Sequence, residues 1–378
     1  MPTPIKVVLV IPTLDRSGAE KQLTMLASGL PRDEFEVEVV ALTRGGPFAD
    51  ELNRQNIPLT ILYKRGKFDL RALRALRQIF RDRQPDIVHT WLFAANAYGR
   101  WAAGKGPTPK VIVSERCVDI WKSRWQLWID RRQFSRTDRL VGNSQSVADY
   151  YRQLGFPAEK LSVIPNGITS PPAPDPSLRA VVLSELGFAA DHRVIAYVGR
   201  LAPQKRLQDL IWSFELLRQI VPSLKFLIVG DGPERADLEQ YARNLRCDSD
   251  IRFLGHRDDV SRLLSTVDIF WLASDYEGQS NSVMEAMSAG IPVIVSDIPP
   301  NRELVTDRET GFVVPVGNTS AFVQAAQEIL NDRALAQRLG AAARSQMQTN
   351  FSVTKMVDAY ADLYRNLSRQ SPLTRRNP

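Results

Sequence analysis

Two glutamates with seven residues between them, Glu277 and Glu285 in EGQSNSVMEAMSAG, flank the start of a helix pattern. Carboxylates placed this way suit sugar hydroxyls, and the helix-opening amides of Ser282 and Val283 form a ready anion site. Ser282 and Glu285 also read as an S-x-x-E capping box, with Gly290 and Pro292 as the stop, which predicts a helix from about 282 to 289. Glu285 then serves as a cap or as a ligand, but not fully as both. Upstream, Arg200 and Lys205 in GRLAPQKRLQDLI follow an apolar β-run and precede a helix. Two fixed cations there suit a diphosphate leaving group, whose charge grows as its bond to a sugar breaks. A first-half counterpart is LDRSGAEKQL, where Ser17 and Glu20 predict a second capping box and Gly18 lets a ligand approach the backbone. Each signal has a plainer reading, as solvated loop cations or an ordinary strand-to-helix turn.

The elements that must hold these residues recur along the chain. KVVLVIPTL, FEVEVVAL, LTILY, DIVHT, KVIVSE, RLVGNS and LSVIPN read as strands, with helix-length segments at 18–29 and 69–83. RVIAYVGR, LKFLIVGDG, IRFLGH, VDIFWLAS, IPVIVSD and GFVVPVG repeat the pattern. Strand and helix in alternation predict parallel sheets with helices on both faces. PPAPDPS, 171–177, carries four prolines and is expected to be a linker without regular structure. The expected domains are therefore 1–170 and 178–350, with a ligand cleft at the carboxyl ends of both sheets. FSVTKMVDAYADLYRNL, 351–367, reads as an amphipathic helix that includes Phe351, and 368–378 as a disordered tail.

A chain of 378 residues exceeds one ordinary core, and its 44% hydrophobic and 24% charged residues fit a folded, soluble protein. No apolar run of spanning length occurs, and the N-terminal apolar run lacks a cleavage site. Cys117 and Cys247 lack metal-ligand spacing and suggest neither a zinc site nor a disulfide framework. Residues 1–165 hold 26 Lys and Arg against 17 Asp and Glu; the rest holds 23 against 25. An excess of cations confined to one half implies an anionic partner there. GDGPER has Arg235 where a dinucleotide fingerprint needs its third glycine, and DSD, 248–250, reads as a polar turn.

Taken in order, GRLAPQKRLQDLI, VGDGPERADLE, FLGHRDDV and EGQSNSVMEAMSAGIPVIVSD, preceded by VIPNGI, resemble the retaining glycosyltransferases of family four, or group 1. The resemblance covers nearly the whole chain and is densest in the second half. It implies a GT-B fold of two Rossmann-like domains facing a cleft, with the final helix crossing back onto the first. It also implies a hexosyltransferase that needs no cofactor or metal and takes a nucleotide-sugar donor, a UDP-sugar by preference or a GDP-sugar. By resemblance, Glu285 binds ribose, Glu277 the donor sugar, and Arg200 with Lys205 the diphosphate. Gly18 approaches from the first domain, the backbone around Asn281, Ser282 and Val283 completes the phosphate site, and Gly232 with Arg257 lines the base. Relatives often carry proline where Ser280 stands and two glycines where Ser17-Gly18 stand. They also carry histidine near the reacting centre where this chain has Arg116. Arg116 and His89, in DIVHTW, are therefore candidates there, with a packed strand-end residue as the other reading of His89.

DIWKSRWQLWIDRRQFSR, 119–136, sets Trp121, Trp125 and Trp128 at helical spacing among Lys122, Arg124, Arg131, Arg132 and Arg136. A basic helix with tryptophans suits a membrane interface, and core packing is its other reading. The expectation is a cytoplasmic enzyme, peripheral at the inner membrane face, acting on a lipid-linked or cell-envelope glycan in polysaccharide or lipopolysaccharide biosynthesis. Its rivals are an epimerase of the same fold and a non-catalytic binder of nucleotide sugar or membrane. A nucleic-acid binder has only the basic half in its favour.

Overall fold

Strands buried on both faces read as unbroken runs of Val, Ile, Leu and Phe, and such strands pair in parallel. In the computed structural model, which describes residues 3–104, 106, 109–171 and 176–370, every expected apolar run is a strand. The chain divides into two units, Met1–Gly167 with Val353–Pro378, and Ile168–Ser352. Among the described residues of the first, β1 (Ile5–Thr13), β2 (Phe35–Arg44), β3 (Leu59–Ile61), β4 (Ile87–Trp91), β5 (Lys110–Glu115), β6 (Arg139–Gly142) and β7 (Leu161–Val163) form one parallel sheet. Their order is β3-β2-β1-β4-β5-β6-β7. The second unit pairs β8 (Arg193–Val198), β9 (Leu224–Val229), β10 (Ile251–Gly255), β11 (Ile269–Leu272), β12 (Val293–Ser296) and β13 (Phe312–Val314), also all parallel. That order is β10-β9-β8-β11-β12-β13. Strand order therefore reverses once per sheet, between β1 and β4 and between β8 and β11, the position where doubly wound sheets bind ligands.

The helix Gly18–Gly29 has the expected bounds. The expected helix over 69–83 spans Leu70–Arg83, because the Asp69 side chain caps it, accepting from the amides of Arg71 and Ala72. The last helix is Val353–Arg369 and belongs to the first unit. It buries Met356, Val357, Tyr360, Tyr364 and Leu367 in one core with Leu23, Leu26 and Phe35. A methyl group on Gly29 would come 2.7 Å from Val357 Cγ2, so that glycine sets how closely the two helices approach. Each large side chain buried in this stripe contributes on the order of 1.5–3 kcal/mol.

Three expected boundaries need correction. Residues 168–170 and 351–352 belong to the second unit, where the Ile168 amide donates to Phe351 O at 2.7 Å and Phe351 packs on the second core. Phe351 therefore lies outside the last helix. Of the expected linker, 172–175 lie outside the described residues, while Pro176 opens the helix Pro176–Glu185. A proline is tolerated there because a first-turn residue needs no amide. The expected tail is helical through Arg369, and 371–378 lie outside the described residues. Among the described residues, no helix is long and apolar enough to cross a membrane.

Candidate active site

Loops after β8 and β9 meet backbone to backbone at the carboxyl edge of the second sheet. The Gly199 amide donates to Val229 O at 2.9 Å, Leu201 to Asp231 O at 3.0 Å, and Glu234 to Leu201 O at 3.2 Å. Gly230 has φ +127°, and a methyl group on it would lie 2.0 Å from Gly199 O; one on Gly232 would lie 2.1 Å from Leu201 O. The glycines of GDG are thus explained by chain crossing. Backbone cannot yield as a flexible side chain can, so Gly230→Ala is expected to cost about 2–5 kcal/mol. Chemical denaturation measures this, and an unchanged midpoint would mean that the two loops do not touch.

Lys205 ends a 3-10 turn, Pro203–Lys205, that leads into the helix Leu207–Arg218. The loop after β11 is tied to this turn, since Asp275 N donates to Gln204 O at 2.9 Å and Arg206 bonds Asp209 and Asp275 at 2.7 and 3.1 Å. These ties bring the Lys205 ammonium onto Glu277 Oε1 as an ion pair. Ser274 Oγ donates to the same oxygen at 2.7 Å, so the carboxylate is fixed although only 8% exposed. Ser274 is held in turn, its carbonyl accepting from Ser296 Oγ at 2.6 Å, while Asn301 donates to Ser296 O at 2.8 Å. Ser274, Ser296 and Asn301 are fully buried. Sequence reading missed these three, since small polar residues at strand ends carry no periodic signal. Tyr197 lies beneath, its hydroxyl donating to Arg200 O at 2.9 Å; burial, with Glu277 and Glu234 nearby, pushes its pKa well up. Arg200 itself is exposed, and its guanidinium pairs with none of the described residues.

The capping expectation at Ser282 is overturned. The helix spans Asn281–Ser288 with Ser280 at its N-cap, and Ser280 Oγ lies 3.2 Å from Ser282 Oγ. Glu285 is the fifth helical residue, two past the third-position glutamate of a capping box, and is half-buried. The amides of Ser282 and Val283 precede the first intrahelical bond, Met284 N to Ser280 O, and have no intrahelical acceptor. Asn281 opens that first turn. After β10, the exposed Arg257 guanidinium makes two 2.7 Å bonds to Asp259. Asp248–Asp250 is a 3-10 turn whose Asp250 pairs with Lys225 and Arg218.

In the first unit, Gly18 is the first residue of the helix after β1, with Ser17 at the N-cap. The second capping box is absent: Ser17 Oγ donates to the Glu20 carboxylate instead of accepting an amide, and Thr13 Oγ1 donates to Glu20 Oε1 at 3.0 Å. Burial raises the pKa of Glu20. For His89, the packed reading prevails. It is fully buried, Nδ1 lies 2.6 Å from Tyr364 OH and Nε2 2.8 Å from Ser114 Oγ, so both ring nitrogens are engaged inside the core. Burial and the nearby Arg116 hold its pKa well below the ordinary value, keeping the ring neutral. Arg116 stacks 4.6 Å over Trp91 and bonds Asn166 and Tyr360. Burial lowers its pKa, with Tyr360 opposing.

A buried charge cluster at the end of β5 was not foreseen. Lys122, expected on the surface, has no exposed side-chain area and contacts Glu115, Asp119 and Asp130 at 3.3, 2.9 and 3.0 Å. It also donates to Tyr151 OH at 2.6 Å, and Arg100 pairs with Asp130 at 2.6 Å. Burial pushes the Glu115 carboxyl up to about 8, against the attraction of Lys122. A protonated Glu115 leaves two cations facing two carboxylates, the arrangement that buries least net charge. The helix expected over 119–136 spans only Arg124–Gln133, so Trp121 and Lys122 precede it.

Comparison with known proteins gives this geometry a family. The model of the "Glycosyl transferases group 1" family matches residues 183–346, and that of "Glycosyltransferase Family 4" matches 16–170. The lipopolysaccharide core biosynthesis glycosyltransferase LpsD of Rhizobium meliloti (strain 1021) is 30% identical over 289 residues, 76% of this chain and 78% of that protein. The chain belongs to the group 1 glycosyltransferases. This glycosyltransferase is also similar to the Escherichia coli UDP-Gal:alpha-D-GlcNAc-diphosphoundecaprenol alpha-1,3-galactosyltransferase, at 27% identity over 92% of this chain and 93% of that protein. In fold it matches Anabaena Alr3699/HepE, solved in complex with UDP and glucose, with a TM-score of 0.85 and 22% identity over 96% of this chain and all of the other. The fold is GT-B.

Proposed function

We propose that this glycosyltransferase moves a hexose, with retention at the anomeric carbon and without a metal, from a nucleotide-diphosphate donor to a lipid-linked or cell-envelope glycan. The observation that carries the reading is the Lys205–Glu277 pair beside the first turn of helix Asn281–Ser288. An ammonium for diphosphate and a carboxylate for sugar hydroxyls stand within bonding reach of each other, at the strand-order reversal of the second sheet. Arg200 and Lys205 take the diphosphate, joined by the amides of Ser282 and Val283. Glu277 takes the sugar, Glu285 the ribose, and Gly232 with Arg257 lines the base. The bond between the anomeric carbon and the phosphate oxygen breaks as the acceptor oxygen bonds the same face. The acceptor's proton passes to the departing phosphate. Charge on that leaving group is met by the chain's own cations, so a chelator is expected to leave turnover unchanged.

The Escherichia coli relative, whose name specifies UDP-Gal and a diphosphoundecaprenol-linked acceptor, and the UDP-bound Anabaena neighbour favour a UDP-hexose donor and a lipid-linked acceptor. That donor class suits the cytoplasmic side of a membrane. Nucleotide release from UDP-, GDP- and ADP-hexoses with a membrane extract as acceptor tests the reading, and no release from any donor would overturn it. Glu285→Ala is expected to weaken donor binding at least tenfold while leaving the melt within a few degrees, because Glu285 is a half-buried residue outside the N-cap position of its helix. Unchanged donor affinity would remove Glu285 from the site.

A further inference from the structure

The first unit carries an exposed apolar face that its own core does not use. Tyr63, Phe68 and Leu70 are 67–68% exposed, and Ile120, Trp121, Trp125 and Trp128 are 44–59% exposed. The segments come together through their rings, with Phe68 at 6.2 Å from Trp125 and Trp125 edge-on to Phe93 at 5.8 Å. Phe93 is in the first turn of the helix Leu92–Ala103, which directly follows β4. The rings therefore meet at the carboxyl end of the first sheet.

The segments that carry this face are rich in cations. Residues 63–81 contain seven Lys and Arg and one acid, Asp69, whose carboxylate accepts from the amides of Arg65, Arg71 and Ala72. Residues 120–136 contain one acid, Asp130, which is buried against Arg100 and Lys122. Arg124, Arg131 and Arg132 are exposed, and Arg132 lies 5.0 Å over the Trp128 ring. The buried Lys122, bonded to Asp130, ties the chain ahead of helix Arg124–Gln133 to the helix itself, so the tryptophans stand on a fixed base. Nucleic acid would reward the rings and cations but not Leu70 and Ile120, which offer nothing to a base. A bilayer rewards all three: aliphatic side chains in hydrocarbon, indoles at headgroup level and arginines at lipid phosphates.

We propose that this face docks the enzyme on an anionic lipid bilayer. Its use in catalysis rests on the proposed function, since it would hold the carboxyl end of the first sheet close to a lipid-linked acceptor. The test is sedimentation of the full chain with vesicles of phosphatidylglycerol and phosphatidylcholine, against pure phosphatidylcholine. Binding is expected to the anionic vesicles, and Arg131→Glu with Arg132→Glu should weaken it at least about 25-fold, from about fivefold per cation. Phe68→Ser, Trp125→Ser and Trp128→Ser together keep every charge and should abolish binding, with the melt and UDP affinity unchanged. Equal binding to both vesicle types, a triple variant that binds like the parent, or tighter binding to duplex DNA would each overturn the proposal. A parent chain that releases nucleotide but binds no vesicle would sink the docking face alone; a parent that binds vesicles without releasing nucleotide would sink the function alone.

Discussion

Lys205→Ala is expected to lower turnover by about 10²–10³, the usual effect of removing one fixed positive group from a developing anion. The same substitution also breaks an ion pair, because Lys205 bonds Glu277 with side-chain exposures of only 15% and 10%. Stability should fall by about 1–3 kcal/mol, since Ser274 still supports the carboxylate. A unit of this size then loses about 2–4 °C for each kcal/mol. The two roles separate in the double variant Lys205→Ala, Glu277→Ala. If the pair only braces the loops, removing both charges restores the melt and most of the turnover. If both bind donor, the melt recovers and turnover stays lost. The measurements are thermal melts and steady-state nucleotide release on the parent, both single variants and the double variant. A double variant with near-parental turnover would remove both residues from the chemistry.

The second large effect lies in the first unit. Lys122→Met is expected to destabilise by about 3–5 kcal/mol, because it leaves Asp119, Asp130 and Glu115 buried with Arg100 as the remaining cation. The same cluster sets a pH dependence. The folded pKa of Glu115 is raised to about 8, above its value in the unfolded chain, so the folded state holds this proton more tightly. Its stabilising contribution is complete below the ordinary carboxyl range and is lost as pH rises to about 8. The parent should therefore melt progressively lower between about pH 5 and 8. Glu115→Gln, which has no proton to lose, should show less of that slope and exceed the parent in alkali. Calorimetric melts across this range decide it; identical slopes for the two proteins would rule out Glu115 as the source.

The sheets were legible because strands buried on both faces must be apolar throughout. VVLVI, VIAYV and FLIV admit no amphipathic helix, and each is a strand. Caps were less legible because their code is degenerate. Ser280 and Ser282 are both good N-cap residues, and Glu285 is three positions from one and five from the other. Spacing favoured Ser282, whereas the folded loop chose Ser280. The charged residues of the candidate site were legible as candidates because flexible cations and carboxylates after strand ends stand out in an apolar sequence. Their supports, Ser274, Ser296 and Asn301, could not, since a small polar residue becomes a brace only through partners that folding supplies. Lys122 misled for a related reason. A lysine among exposed tryptophans and arginines reads as a surface charge, and its burial depends on Glu115, Asp119 and Asp130 converging from three places along the chain.

The last helix carries a consequence for the order in which the protein is made. The second unit is one unbroken stretch, Ile168–Ser352, so everything its core needs has been synthesised once Ser352 is added. The first unit, begun earlier, still lacks Tyr360 and Tyr364, the second of which holds Nδ1 of His89. Until those tyrosines emerge, Nδ1 of His89 lacks its tyrosine partner and the stripe on Gly18–Gly29 lacks the apolar side chains of the last helix. The half that starts first on the ribosome is the half that can finish only last.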